Sequence, residues 1–329
     1  MTIFIYKLTF CTEIMINIDK KDLRLLYELD KNCKQTLKQL ANKLRSKKNS
    51  VLYRINRLER LGIIENYYAL IDTFKLGYNS YRLYLKLKNH DPEIEKKIIK
   101  TFMKKKEIYF ISDRDGAYDL VLCYWVNSQK NFFDFFESIF TEFKPHIKKY
   151  VNMPMKSILF PSSYLINDYK RTPWIIEPCK KENVDDLDLN ILTQISNNAK
   201  TSLVDLAKKN KTNINTIKYR INKLKKLEII KAYRANINFS KLGYTWFKLD
   251  IVLNDYKKRG EVLNYIIVNP NTFVIDESIG FGDIEVELHY KSKQELNDFI
   301  GKLMLKFSGV INSIDHFSVD KVYKIDFMV

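Results

Sequence analysis

The chain has 329 residues, 46% of them hydrophobic, which is enough for two or more domains with packed cores. Its formal net charge of +17 predicts an anionic partner such as nucleic acid. No apolar run approaches the ~20 residues that cross a bilayer, so we expect a globular, cytoplasmic protein with no membrane partner.

The cysteine and histidine residues are too scattered to suggest a metal site. The four cysteines include no CxxC pair, and the four histidines have no metal-ligand spacing. We therefore expect no metal, no cofactor and no disulfide framework. Residues 1–17 are interpreted as an N-terminal extension that lacks the features of a signal peptide, with Met15 as a second possible start.

The rest of the chain consists of two copies of one unit. Residue 18 aligns with residue 184, and this offset of 166 holds without a gap through residues 78 and 244. Further on, Gly116 and Asp119 match Gly280 and Asp283 at an offset of 164. Each copy has ~150 residues, which is room for one or two small domains.

Each copy is predicted to begin with two short helices. Asp19 is placed to cap the first helix, and Thr36 with Gln39 forms a capping box for the second. The counterparts in the second copy are Asp185 or Asp186, and Thr201 or Ser202.

A third helix follows in each copy, over residues 49–61 and 215–227. Apolar residues recur along it at helical spacing, which commits one side to a core and leaves a polar side outward. The polar residues are Asn49, Ser50, Tyr53, Arg54 and Arg57 in the first copy, and Asn215, Thr216, Tyr219, Arg220 and Lys223 in the second. Such side chains bind base edges and phosphates, so we predict two DNA recognition helices.

Basic residues concentrate at these two helices. Residues 43–60 hold seven basic residues against one acidic residue, and residues 208–234 hold ten against one. A charge run is often only a solvated surface, but an excess that repeats at one location favours DNA contact.

The turn before each third helix departs from the usual pattern. Arg45 and Lys211 stand where a helix-turn-helix usually has glycine, because φ is often positive there. Either the turn tolerates a long side chain, or the two residues add phosphate contacts. The first recognition helix is also poorly capped, with Lys47 where the second has Asn213.

The stretches at residues 62–72 and 228–238 read as strands of a β-hairpin wing, which makes each helical set a winged helix-turn-helix. The residues that follow give the order βαββαβ in both copies, which is the ferredoxin-like arrangement. The predicted fold class is α+β, with two winged helix-turn-helix domains each followed by a ferredoxin-like domain.

At this point the chain resembles the Lrp/AsnC family of transcriptional regulators. The matching residues are LANKL through YRINRLERLGII in the first copy and LAKKN through YRINKLKKLEII in the second, each followed by KLGY. The resemblance implies DNA binding by the winged domains, and dimerisation and amino-acid sensing by the ferredoxin-like domains.

The resemblance also implies that a G-x-x-D turn lies near an effector, here Gly116 with Asp119 and Gly280 with Asp283. Ala117 and Phe281 follow the glycines where a polar residue is expected. The aspartates are therefore also interpreted as structural turn residues.

The domain boundaries predicted from these patterns divide the chain into six segments. They are an N-terminal extension at 1–17, winged helix-turn-helix domains at 18–76 and 184–242, ferredoxin-like domains at 77–159 and 243–329, and a linker at 160–183. The prolines of the linker favour an extended tether, part of which we expect to pack on a domain through Trp174.

The outward faces of the two predicted sheets differ. In the strand predicted at 119–126, the side chains that point away from the helices are Val121, Cys123 and Trp125. The corresponding side chains in the second copy are Glu285, Glu287 and His289. We expect the sheets to pair as an intramolecular pseudo-dimer with a lopsided surface, alone or in a larger homo-oligomer.

The leading hypothesis is a nucleoid-associated, sequence-specific regulator that carries both reading heads for double-stranded DNA in one chain, and not an enzyme. One alternative is a siroheme decarboxylase, which is similar in architecture. That resemblance implies a histidine with an arginine, and the corresponding strands at 109–114 and 273–278 contain no histidine. A second alternative is an architectural protein with little sequence preference.

Overall fold

A computed structural model describes residues 18–88, 91–168 and 170–328. The predicted extension at 1–17, Met15 included, lies outside the described residues. The α+β class and the duplicated order of elements are confirmed. Within the described ranges, no helix is long and apolar enough to span a membrane.

The described part of the first unit contains five α-helices and five strands. They are α1 Lys20–Lys31, α2 Leu37–Leu44, α3 Lys48–Arg60, β1 Ile64–Ile71, β2 Asn79–Leu87, α4 Pro92–Met103, β3 Ile108–Gly116, β4 Leu120–Val126, α5 Gln129–Phe143 and β5 Ile147–Leu159. The predicted caps are present, since Asp19 caps α1, and Thr36 with Gln39 forms a capping box on α2.

The second unit repeats this order after a short strand, β6 Trp174–Ile176. Its elements are α6 Asp186–Asn197, α7 Leu203–Lys209, α8 Ile214–Lys226, β7 Ile230–Ile237, β8 Thr245–Leu253, α9 Arg259–Ile267, β9 Thr272–Gly280, β10 Ile284–Tyr290, α10 Lys293–Lys306 and β11 Ile311–Ile325. Of the alternative caps, Asp185 and Ser202 are the residues used.

The predicted wing hairpin is replaced by a pairing between the two units. Each unit supplies one strand, and β1 pairs antiparallel with β7. Tyr68 lies opposite Arg234, its own counterpart at the offset of 166, so the pairing has pseudo-twofold symmetry. A hairpin and this two-stranded sheet need the same alternating pattern, and local sequence does not say which strand will be the partner.

The helix-turn-helix units share a single hydrophobic core. It contains Leu26 and Leu58 of the first unit together with Leu192 and Leu224 of the second. Symmetry-related backbone bonds join the units, including Cys33 N–H to the Tyr233 carbonyl at 2.8 Å and Ala199 N–H to the Tyr67 carbonyl at 2.7 Å. The two recognition helices therefore belong to one packed body.

The two ferredoxin-like sheets join into a closed ring of eight strands, in the order β2-β4-β3-β11-β8-β10-β9-β5, with β5 pairing again with β2. The long strands β5 and β11 each begin in their own sheet and end in that of the other unit. Gly116 permits this crossing, because a Cβ there would lie 2.8 Å from the His316 carbonyl oxygen.

The interior of the ring is lopsided, as the sequence predicted. Val121, Cys123 and Trp125 are buried on one side, and Glu285 and His289 on the other. Each unit also keeps its own core between sheet and helices.

Glu285 is the centre of a buried polar cluster in the ring. Its carboxylate accepts hydrogen bonds from Arg82 and Lys248, and from Tyr84 Oη at 2.9 Å. The nearby cations hold the pKa of this carboxyl well below its usual range, against the opposing effect of burial. The cluster joins β2 of the first unit to β8 and β10 of the second.

The linker is packed rather than extended. Phe160 and Tyr164 are buried, and β6 pairs with β5. Arg171 Nη2 donates to the carbonyls of Ile267 and Asn269 at 2.7 and 2.6 Å. Because these contacts pair polar groups of the linker with groups of the second unit, the linker is held along the surface of that unit.

One buried ion pair breaks the pseudo-twofold symmetry. Arg234 contacts Asp30 at 2.7 Å, and the same carboxylate accepts from the backbone N–H and hydroxyl of Ser162. The symmetry-related positions hold Tyr68 and Ser196, which cannot form such a pair.

Candidate nucleic-acid interface

The core side of each recognition helix agrees with prediction. Val51, Ile55 and Leu58 of α3 are buried, as are Ile217 and Leu224 of α8. These residues fix the rotation of each helix about its axis and so determine which side chains face outward.

A four-residue stripe lies opposite that core on each helix. With 100° per residue, positions 49, 53, 56 and 60 lie about 180° from positions 51, 55 and 58. The stripes are Asn49, Tyr53, Asn56 and Arg60 on α3, and Asn215, Tyr219, Asn222 and Lys226 on α8, all of them exposed. We call these eight residues the reading stripes.

Two predicted DNA contacts of the first unit point elsewhere. Arg54 Nη1 lies 2.8 Å from Asp19 and 2.7 Å from Asp22, and Arg57 Nη2 lies 2.5 Å from the other oxygen of Asp22. Asp22 is fully buried. Because these arginines satisfy a buried carboxylate, they hold α3 against α1, and base contact by them would have to break these ion pairs.

The second unit repeats this arrangement. Arg220 Nη1 contacts Asp185 at 2.6 Å and Asp188 at 3.3 Å, and Lys223 Nζ contacts Asp188 at 2.8 Å. Base contact by Arg220 and Lys223 would likewise have to break these ion pairs. The partner aspartates lie 32 to 35 residues earlier in the chain, so the helix alone does not reveal them.

The sequence interpretation missed Asn56, Asn222, Arg60 and Lys226. The signal was present, because the buried positions of each helix define the opposite side, and Tyr-Arg-Ile-Asn recurs in both copies. Of the predicted residues, Asn49, Tyr53, Asn215 and Tyr219 lie in the reading stripes. Ser50 is exposed at the start of α3, and its counterpart Thr216 is half-buried.

The helix-turn-helix turns have the positive φ that the sequence predicted. Arg45 has φ 47° and Lys211 has φ 50°, and both side chains are exposed. A non-glycine residue in this conformation is strained by ~1–2 kcal/mol. Both cationic side chains lie next to the recognition helices, which keeps phosphate contact as a prediction for them.

Replacing Arg45 and Lys211 with glycine is expected to raise stability and weaken DNA binding. Relief of strain, less the extra entropy of glycine in the unfolded chain, should add ~0.5–1 kcal/mol per site in urea unfolding. If each side chain contacts one phosphate, the slope of log K against log salt should fall by ~0.9 per substitution. Unchanged slopes would mean that the turn only tolerates these residues.

The capping difference between the two recognition helices is confirmed. Lys47 provides no side-chain cap, whereas Asn213 Oδ1 accepts from Thr216 N–H at 2.8 Å. The backbone N–H groups in the first turn of α3 therefore have no side-chain acceptor at the cap, whereas in α8 the Thr216 N–H is bonded to Asn213.

Lys47→Asn is expected to stabilise α3 by ~1 kcal/mol, because the new side chain can accept from the exposed backbone N–H groups. Amide hydrogen exchange in the first turn of α3 should slow accordingly. Asn213→Ala is the matched opposite change and should speed exchange in α8. Equal exchange in Lys47→Asn and the parent protein would contradict the capping argument.

The G-x-x-D turns have structural roles in both units. Asp119 Oδ2 accepts from Leu87 N–H at 2.6 Å, and Asp283 Oδ2 accepts from Leu253 N–H at 2.7 Å. Each aspartate thus ties its turn to the end of a neighbouring strand, which agrees with the structural alternative. Effector binding at Gly116, Asp119, Gly280 and Asp283 stays a prediction.

Comparison with known proteins agrees with this architecture. The family model described as winged helix-turn-helix DNA-binding matches residues 18–65 and again 184–231. Two uncharacterized HTH-type transcriptional regulators of Pyrococcus furiosus align with the chain. One is 28% identical, and the alignment covers 44% of this chain and 96% of that protein. The other is 32% identical, and the alignment covers 33% of this chain and 70% of that protein.

A solved structure resembles nearly the whole chain. The siroheme decarboxylase NirDL superposes with a TM-score of 0.62, covering 93% of each chain at 13% identity. At this identity the likeness extends to the fold alone. The fold therefore occurs in an enzyme, whereas the sequence relatives carry names of transcriptional regulators.

Proposed function

Since this chain belongs to the Lrp/AsnC family of transcriptional regulators, as a tandem duplication of the family's unit, we propose that it reads a specific DNA sequence with both heads at once. DNA-binding regulation is the family's function. The sequence specificity, and its location in the reading stripes, are our proposal.

The observation that carries the proposal is the pair of matching, exposed reading stripes on one packed body. Asparagine can bond to both N6 and N7 of adenine in the major groove, and arginine and lysine suit guanine or phosphate. Tyr53 and Tyr219 are 63% and 68% exposed, at matching positions of the two recognition helices. We assign them to thymine methyl groups or the sugar-phosphate backbone.

The pseudo-twofold pairing of β1 with β7 supports an inverted repeat as the target. Two heads related by a twofold axis meet the same base sequence when they approach opposite strands of a duplex. Asn49, Tyr53 and Asn56 have identical counterparts, so the half-sites should be similar. Arg60 and Lys226 differ, so the repeat should be imperfect.

Selection of bound fragments from random double-stranded DNA tests the proposal. The expected result is an enriched inverted repeat with half-sites about one helical turn, or a multiple, apart. Enrichment of one half-site alone, or of no motif, would contradict paired reading. No motif, with steep salt dependence on any duplex, would favour the architectural alternative.

The decarboxylase fold gives a second candidate function, that of an enzyme acting on siroheme. Inside the ring, His289 is a candidate acid, but its Nδ1 bonds to Tyr164 Oη at 2.6 Å, and burial lowers its pKa to about 3. A histidine that stays neutral at pH 7 is a poor proton donor. Anaerobic incubation with siroheme should leave its absorption spectrum unchanged, and loss of carboxylate groups from siroheme would favour the enzyme.

A further inference from the structure

A half-open cavity of about 260 Å³ lies between the interior of the ring of strands and the β1 segment of the first unit. Aromatic residues make much of its wall, among them Tyr109, Trp125, Trp246 and Phe327. An apolar cavity of ~150 Å³ is enough to hold benzene, so this space suits a ring-sized molecule.

Arg114 lines this cavity without a carboxylate partner. It is 8% exposed, and among the described residues no acidic group lies within ion-pair distance of it. Its Nε has no hydrogen-bond acceptor. Instead the guanidinium lies 5.4 Å from the ring centroids of Phe110 and Phe317. Burial lowers the pKa of Arg114 to about 10, which leaves it charged at pH 7.

A second unmet donor lies beside it. The indole Nε1 of Trp246 is buried and without an acceptor, and the ring centre is 6.0 Å from the Arg114 guanidinium. Buried donors are nearly always paired, and each unmet one costs ~1–3 kcal/mol. Both unmet donors belong to side chains that line the cavity, so an acceptor group bound there would satisfy them.

The other charges of the wall are largely matched already. Asp276 contacts Arg82 at 2.6 Å, Lys248 pairs with Glu285, and Asp326 lies 3.3 Å from Lys324. Glu287 lies 3.8 Å from Arg82, and burial raises its pKa. Among the described residues, Arg114 is thus a cation of the wall that forms no ion pair with these acids.

We propose that this cavity binds a small carboxylate with an apolar, ring-sized body, held by Arg114 and the Trp246 indole N–H. The carboxylate accepts from both donors, and the ring packs among the aromatic side chains. The site is distinct from the G-x-x-D turns.

The cavity also contacts the segment that joins the DNA-reading heads. Tyr68, Ile71 and Phe74, in β1 and just after it, form part of its wall. Tyr68 is also the residue opposite Arg234 at the pseudo-twofold axis of the β1–β7 pair. An occupant would therefore touch the strand that holds the heads together.

Titration with sodium phenylacetate and with its neutral isostere phenylacetamide tests the proposal. Tryptophan emission is a direct readout, because Trp125 and Trp246 line the cavity. Phenylacetate should change the emission saturably and raise Tm, while the amide should bind at least tenfold more weakly. Equal binding of both compounds, or binding of neither up to about 10 mM, would overturn the proposal.

Three variants of the full chain complete the test. Arg114→Met keeps the apolar stem and should weaken phenylacetate binding at least tenfold, and Trp246→Phe keeps a ring and should weaken it severalfold. Lys130→Met removes an exposed cation of α5, outside both the reading stripes and the cavity, and should leave phenylacetate binding unchanged. If Arg114→Met and Trp246→Phe, checked for cooperative unfolding, bind as the parent does, the assignment is wrong.

Discussion

Replacing Glu285 with valine is expected to destabilise the protein by about 3–5 kcal/mol. The carboxylate is fully buried and neutralises Lys248, whose ammonium is also buried. Valine is the residue at the corresponding position of the first unit, Val121, so the change respects the shape of the strand but leaves a buried charge unpaired. Urea unfolding monitored by circular dichroism measures the loss.

Two further variants identify the cause. Lys248→Met combined with Glu285→Val removes both charges and should recover part of the lost stability, because the unpaired ammonium is gone. Glu261→Ala removes an exposed glutamate from an ion pair with Lys258 and should cost less than about 1 kcal/mol. If Glu285→Val costs no more than Glu261→Ala, the cluster does not hold the ring together.

Replacing both Asn56 and Asn222 with alanine is expected to abolish most sequence preference. A bidentate contact to adenine is worth ~1–3 kcal/mol of discrimination, so two should account for ~2–6 kcal/mol, or at least a ~30-fold loss. The salt dependence should stay nearly constant, because no phosphate contact is removed. Competition between the selected site and random duplex at fixed salt measures the change.

Two controls accompany this experiment. Asn197→Ala removes an exposed asparagine at the end of α6 and should leave discrimination unchanged. Arg54→Ala with Arg220→Ala should lower stability by loosening α3 from α1 and α8 from α6, yet preserve discrimination at temperatures where the variant is folded. If the double arginine variant loses discrimination between the selected site and random DNA, and the double asparagine variant keeps it, the arginines are the base readers.

Much of the fold was predictable because its signals are local. Capping residues such as Asp19 and Thr36, and the apolar spacing of Val51, Ile55 and Leu58, act within one or two helical turns. The strand pairings were harder to predict from the sequence. Residues in β1 alternate in a way that suits either a hairpin or a pairing with β7. Packing between residues 159 to 173 positions apart decides which pairing forms.

The site was predicted in outline, but the sequence did not show which polar side chains of the recognition helices are paired within the protein, for a similar reason. Charge and repetition identified the recognition helices, since these properties belong to each helix alone. The roles of Arg54 and Arg220 depend on acids in α1 and α6, which only the folded chain brings near. An arginine beside a recognition helix should be compared with the acids of the preceding helices before it is assigned to DNA.

The covalent connection of the two halves bears on how the protein behaves at low abundance. A regulator built from two separate polypeptides loses its paired heads on dilution, because its subunits dissociate. Here the second head is always supplied at a high effective concentration by the same polypeptide. Each half has its own stretch of the gene, so a mutation can change one half and leave the other as it was. Arg234 and Tyr68, which occupy corresponding positions, show such a difference, and the two heads can therefore diverge in sequence.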